Sequence, residues 1–92
     1  AGLLGSKRIA AIARGAGLRC YLGCRMQLSV GAAASIHLGI STPEITYGCE
    51  EFCHFLTEDV IVDNPPVLEE GAFKPYTGPG LGIDLNKQKI LR

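Results

Sequence analysis

Between Leu18 and Leu22 apolar and polar positions alternate. Leu18, Cys20 and Leu22 fall on one side and Arg19 and Tyr21 on the other, which is the two-residue period of a strand. Gly23 to Leu28 breaks the alternation with a polar turn, GCRMQL. Ser29 is placed to cap a helix that begins near Val30 and runs to Ile40. That helix, VGAAASIHLGI, is apolar on nearly every side, and its small residues from Gly31 to Ser35 permit close packing. It must be buried on both sides or line a site. Ser41-Thr42-Pro43 stops it. A strand that enters a helix through a polar turn is where α/β proteins place their chemistry. The turn lies at the strand's carboxyl end, and the free N–H groups of the first helical turn can meet an anion.

The flanks follow from the same periodicities. Ala1 to Gly5 reads as an arriving loop, and Ser6 as the cap of a helix through Ala16. Ile9, Ile12, Ala13 and Ala16 form one stripe, expected to face a core, with Lys7, Arg8 and Arg14 off it. Gly17 ends the helix as a left-handed cap, and the strand starts at once. This helix-then-strand order is half of a βαβ unit, and the apolar strand suggests a covered parallel sheet. Downstream, Thr46-Tyr47-Gly48 is expected as a turn or short extended piece, and Glu50–Leu56 as a weak helix or irregular segment. Val60-Ile61-Val62 reads as extended, Glu69-Glu70-Gly71 as a hairpin turn, and the tail as a short helix from Asp84.

Composition changes the picture in one respect. Of 92 residues, 47% are hydrophobic, a large share for so small a domain, so the chain is expected to cover its apolar faces against something larger. The lack of an initiator Met fits a piece of a longer polypeptide. Nine basic and nine acidic residues cancel, so net charge draws the chain neither to nucleic acid nor to an anionic membrane. No stretch has the length and apolarity of a membrane span, and the N-terminus lacks signal-peptide order.

The four cysteines form two C-x3-C pairs, Cys20/Cys24 and Cys49/Cys53, with His37 and His54 nearby. Such spacing allows a zinc site, and a small Cys-rich zinc or binding module is the alternative to an enzyme. Free thiols in a cytoplasmic protein are the expectation, because Cys20 fits its strand as a small hydrophobe. His37 is expected as a core histidine with one hydrogen-bond partner. Gly78-Pro79-Gly80-Leu81-Gly82 lacks the order of a phosphate loop and reads as turns. Glu58, Asp59 and Asp63 lack calcium-loop spacing and read as a solvated face. No G-x-S-x-G or Cys/His signature indicates covalent catalysis.

The ordered set AGLLGSKRIAAIARGAGLRC, GCRMQLSVGAAASIHL and GCEEFCHFLTEDVIVDNPPVLEEGAFKPYTGPGLGIDL resembles the C-terminal part of the mandelate racemase and muconate-lactonizing group of the enolase superfamily. The tail is most similar to that of muconate cycloisomerases, with TGPGLGIDL its most telling motif. The resemblance implies an α/β fold: the C-terminal segment of a TIM-type (β/α) barrel, with a tail that returns to an α+β capping domain. Residues 1–41 would be the last part of the barrel, and residues 42–92 a segment packing on barrel and cap. It also implies a magnesium-dependent isomerase, such as a cycloisomerase, racemase or epimerase. That enzyme would remove the proton α to a carboxylate and stabilise an enolate.

By this resemblance the magnesium ligands and the catalytic lysines belong upstream, and this chain contributes no metal ligand. The family places a Glu at the end of its last strand. Here that position reads Gln27, the one catalytic candidate, with Cys24, Arg25 and Met26 as further substrate-binding candidates. Gln cannot carry a proton, which leaves room for a substrate other than muconate, such as a dipeptide or N-acyl amino acid, or for an inactive relative. The implied partners are a small carboxylate substrate, the remainder of the enzyme and further copies of it in a homo-oligomer. The isolated 92 residues are expected to fold poorly and to be inactive, their strand having two open edges.

Overall fold

In the computed structural model, which describes residues 2–92, helix α1 (Gly2–Gly15) leads into strand β1 (Cys20–Leu22). The helix begins earlier than the Ser6 cap predicts. Gly2–Gly5 is helical rather than looped, because Leu3 and Leu4 are good helix formers and nothing breaks the run; Ala1 lies outside the described residues. The C-terminal cap is as expected. Gly17 takes φ 71°, its N–H reaches Arg14 O at 3.0 Å, and Leu18 N–H reaches Ala13 O at 2.9 Å. This is the paired closure that a glycine past the last turn permits.

Helix α2 (Ser29–Ile40) follows β1, and strand β2 (Ile45–Cys49) follows α2. β2 runs parallel to β1, with Cys20 opposite Ile45 and Leu22 opposite Cys49 across an irregular register. Of the turn or short extended piece expected at Thr46–Gly48, the extended form is the one observed, and β1-α2-β2 is a complete βαβ unit. The pairing covers one edge of β1, so one open edge remains on each strand rather than two on β1. β2 was hidden in the sequence because it is mostly exposed and carries Gly48 at φ 84° within it.

α2 holds the core. Ala32, Ala33, Ile36 and Leu38 are buried, joined by Ala10 from α1 and by Cys53. The stripe expected to bury α1 does not do so within this chain: Ile9 and Ile12 are 60% and 73% exposed, and the small Ala10 makes the close approach to α2. A periodic stripe shows that a face is apolar; it does not show which neighbour covers it. Lys7 Nζ also ties α1 to the end of α2, donating to Ser41 Oγ at 2.9 Å.

Beyond β2 the segment expected as weak helix or irregular structure is loop with one 3-10 turn (Cys53–Phe55). Strand β3 (Ile61–Asp63) pairs antiparallel with β6 (Asp84–Leu85). Strands β4 (Leu68–Glu69) and β5 (Ala72–Phe73) form the hairpin read at Glu69-Glu70-Gly71, with Glu70 and Gly71 both at positive φ. The tail is a strand before it is a helix. α3 (Lys87–Ile90) starts only after Asn86, whose Oδ1 accepts from Lys89 N–H at 3.1 Å. Gly78–Gly82 is a turn set, as its composition suggests.

Candidate active site

Because β1 and β2 are parallel, the turn after β1 and the loop after β2 leave their strands at the same end. The ladder runs to that end, where Glu50 N–H donates to Leu22 O at 3.1 Å. The next residue is Glu51, only 6% exposed although it is an acid in a loop. A buried carboxylate needs donors around it. Gln27 supplies them from the neighbouring turn: its Nε2 stands 2.9 Å from Glu51 Oε1 and 3.0 Å from Oε2. The same nitrogen donates to Ser35 Oγ on α2 at 3.0 Å. Cys24 Sγ approaches Glu51 Oε2 at 3.3 Å. The turn after β1 thus meets the Glu51 carboxylate through Cys24 and Gln27, and α2 braces the Gln27 amide through Ser35.

The amide orientation follows from this environment. An amide oxygen turned toward Glu51 would face two like acceptors, whereas the NH2 group satisfies them. Space for the amide comes from Gly31, where a Cβ would lie 2.9 Å from Gln27 Oε1. Electrostatics accord with the geometry. Burial pushes the Cys24 thiol up, the Glu51 carboxylate pushes it the same way, and only the Phe52 backbone lowers it. Cys53 is likewise raised by burial and then by the charge of Glu51.

Of the sequence candidates, Cys24 and Gln27 come together on Glu51, whereas Arg25 and Met26 are exposed on the turn and join none of these contacts. Glu51 is not among the sequence candidates. The signal that finds it is its place one residue past the end of a parallel strand, which becomes visible only when β2 is recognised. Asp59 is a second correction. It is half-buried rather than solvated, and its Oδ2 accepts from Ser29 N–H at 3.1 Å. It does the work expected of Ser29: Leu28 occupies the cap position of α2 without a side-chain acceptor, so a carboxylate 30 residues away meets the first free N–H. His37 is half-buried rather than in the core, and has the single partner expected, with Nε2 3.1 Å from Leu81 O.

All four cysteines are free thiols. Among the described residues no group of three or more His, Cys, Asp or Glu side chains is placed to hold a metal ion. Glu51 is already engaged by Gln27 and Cys24, so the residues of this chain do not by themselves fit a magnesium ion. Beside the network lies a cavity of about 620 Å³ between α2, the end of β2 and the β4–β5 hairpin, with Ser35, Ile36, Glu51, Phe52 and Phe73 in its lining.

Polar side chains gathered at the carboxyl ends of adjacent parallel strands, with a helix between them, define the site architecture of an α/β enzyme. The chain belongs to the enolase superfamily: residues 1–89 match the family described as Enolase C-terminal domain-like. It is 34% identical over 89 residues to muconate cycloisomerase 1 of Rhodococcus opacus, covering 97% of this chain and 24% of that protein. To muconate cycloisomerase 1-1 of Acinetobacter lwoffii it is 34% identical over 91 residues, 99% of this chain and 24% of the relative. Its structure is similar to 2-chloromuconate cycloisomerase from Rhodococcus opacus 1CP, with a TM-score of 0.87, 33% identity, and coverage of 98% of this chain and 25% of that one. An enolase from Gibberella zeae PH-1 complexed with magnesium, formate and sulfate gives a TM-score of 0.88 at 29% identity, with coverage of 98% and 22%. The chain therefore spans about a quarter of the length of these relatives, several of which are isomerases. No described helix is long and apolar enough to cross a membrane.

Proposed function

We propose that this chain is the C-terminal part of a magnesium-dependent isomerase acting on a small carboxylate substrate, by removing the proton α to the carboxylate and passing through an enolate. The observation that carries the proposal is the convergence of Gln27 and Glu51 at the ends of adjacent parallel strands, at 2.9 Å, in a chain of this superfamily. Residues 1–41 form the last part of the barrel, and residues 42–92 a segment that packs on the barrel and the capping domain. Carboxylates on other strands of the whole protein would hold the magnesium, and a lysine there would move the proton. When bound, the ion would supply charge stabilisation to a developing enolate. Gln27 acts as a substrate-binding group, because an amide cannot shuttle a proton. The whole protein is placed in the cytoplasm, where free thiols persist, and as a homo-oligomer.

The test is exchange of the α-proton in D2O, followed by NMR on the full-length protein with a panel of small carboxylates. Magnesium-dependent exchange abolished by EDTA and restored by added magnesium is the expected result. Absence of exchange across cycloisomerase, racemase and epimerase substrates, with magnesium present and the protein folded, refutes it.

A further inference from the structure

Gln27 carries two N–H donors and one carbonyl acceptor. Both donors are spent inside the protein: Nε2 serves the Glu51 carboxylate at 2.9 and 3.0 Å and Ser35 Oγ at 3.0 Å. The carboxylate fixes which end of the amide faces inward, since Glu51 is buried and accepts from no cation among the described residues. Oε1 takes no hydrogen bond from the described residues. No buried side-chain nitrogen or oxygen among them lacks a partner, so Oε1 is not fully enclosed by this chain. At this strand end, then, Gln27 offers the solvent side an acceptor and no donor.

We infer that Glu51 is a positioning residue that locks the Gln27 amide with its carbonyl oxygen outward, so that Gln27 selects a substrate bearing an N–H or O–H donor at this position and disfavours one presenting a lone pair there. The inference rests on the carboxylate-substrate reading above. It narrows that substrate from any small carboxylate to one that also carries a donor. The physical reason is asymmetric: an acceptor opposed by a lone pair loses its solvent partner and gains repulsion, while an N–H replaces the lost water bond.

Two probes differ in this one respect. N-acetylglycine and acetoxyacetate share the carboxylate, the acetyl group and the length, and differ by an N–H against an ester oxygen. Binding of each to the full-length magnesium-loaded protein is measured by NMR titration. N-acetylglycine is expected to bind about tenfold tighter, the scale of one hydrogen bond. Gln27→Met is expected to bring the ratio to about one. Glu51→Gln lets the Gln27 amide turn over and is expected to shrink the ratio as well. Should Glu51→Gln fail to fold, Ser35→Ala removes only one of the two anchors and is expected to lower the ratio in part. A role in folding alone would weaken both probes equally and leave the ratio unchanged. Equal or reversed affinities in the unaltered protein, binding of neither probe, or a ratio untouched by Gln27→Met overturns the inference. α-Proton exchange read on the same samples keeps the two proposals apart. A donor preference without exchange on any substrate refutes the isomerase and leaves the Gln27 assignment standing; exchange without preference does the reverse.

Discussion

Replacing Gly31 by alanine sets helix propensity against the site. Gly31 lies in the first turn of α2, where alanine in place of glycine stabilises a helix by about 0.8–1.0 kcal/mol. The new Cβ, however, would stand 2.9 Å from Gln27 Oε1, 3.1 Å from Cδ and 3.3 Å from Cβ. Comfortable contact begins near about 3.5 Å, so the amide must retreat by roughly half an ångström. Rotation of the amide alone does not relieve this, because the Gln27 Cβ is itself crowded. Bonds of 2.9 and 3.0 Å to a buried carboxylate then stretch or break. A hydrogen bond to a charged group contributes about 1.5–3 kcal/mol, so the loss exceeds the helix gain. Gly31→Ala is expected to destabilise by about 0.5–2 kcal/mol net. The assay is urea denaturation of the full-length protein, run also in a Gln27→Ala background. There the contacts with Oε1 and Cδ are gone and only the 3.3 Å approach to Cβ remains, so Gly31→Ala is expected to stabilise, by up to about 1 kcal/mol. Stabilisation of that size in both backgrounds would refute the claim that Gln27 is held tightly between Gly31 and Glu51.

Asp59→Ala removes the remote carboxylate from the N-terminus of α2 and is expected to cost about 1–2 kcal/mol in the same denaturation assay, with Asp59→Asn milder because its amide oxygen still accepts. Gly82→Ala places a Cβ 2.8 Å from Tyr76 Cβ at φ 75°, so clash and backbone strain add; loss of at least about 2 kcal/mol is expected. Arg14→Ala breaks the 3.3 Å pair with Glu44, but Arg14 is 75% exposed, and a change below about 0.5 kcal/mol is expected. The raised Cys24 and Cys53 thiols have a sign that can be checked. A folded-state pKa above the unfolded one favours the protonated form, so this stabilisation is complete below the ordinary thiol range and is lost as pH rises through the folded value. Alkylation followed by mass spectrometry at pH 8 is expected to label Cys24 and Cys53 more slowly than a free thiol. Labelling at the free-thiol rate would contradict the burial argument.

Local chemistry settled much of this protein. The alternation at Leu18–Leu22, the glycine past α1, the small-residue helix ended by Ser41-Thr42-Pro43 and the Glu70-Gly71 turn each act over a few residues, and each was legible in order. The ordered motifs were enough to place the chain in its superfamily; the polar turn after the strand is a local pattern, whereas Cys24 and Gln27 within it were singled out by the family resemblance. What the sequence could not decide are the facts that join distant residues. β2 is a strand because β1 offers it a partner, since a parallel ladder is made across an intervening helix. Ser29 loses its capping role because Asp59, 30 residues on, reaches the helix end first. Ile9 and Ile12 stay open while Ala10 is the buried residue of α1, because the path of the chain decides which face of the helix is covered. Glu51 looked like one more acid in a charged stretch until the tertiary structure buried it against Gln27. Burial and long-range hydrogen bonding depend on the path of the whole chain, and no periodicity or composition within a short window carries that information.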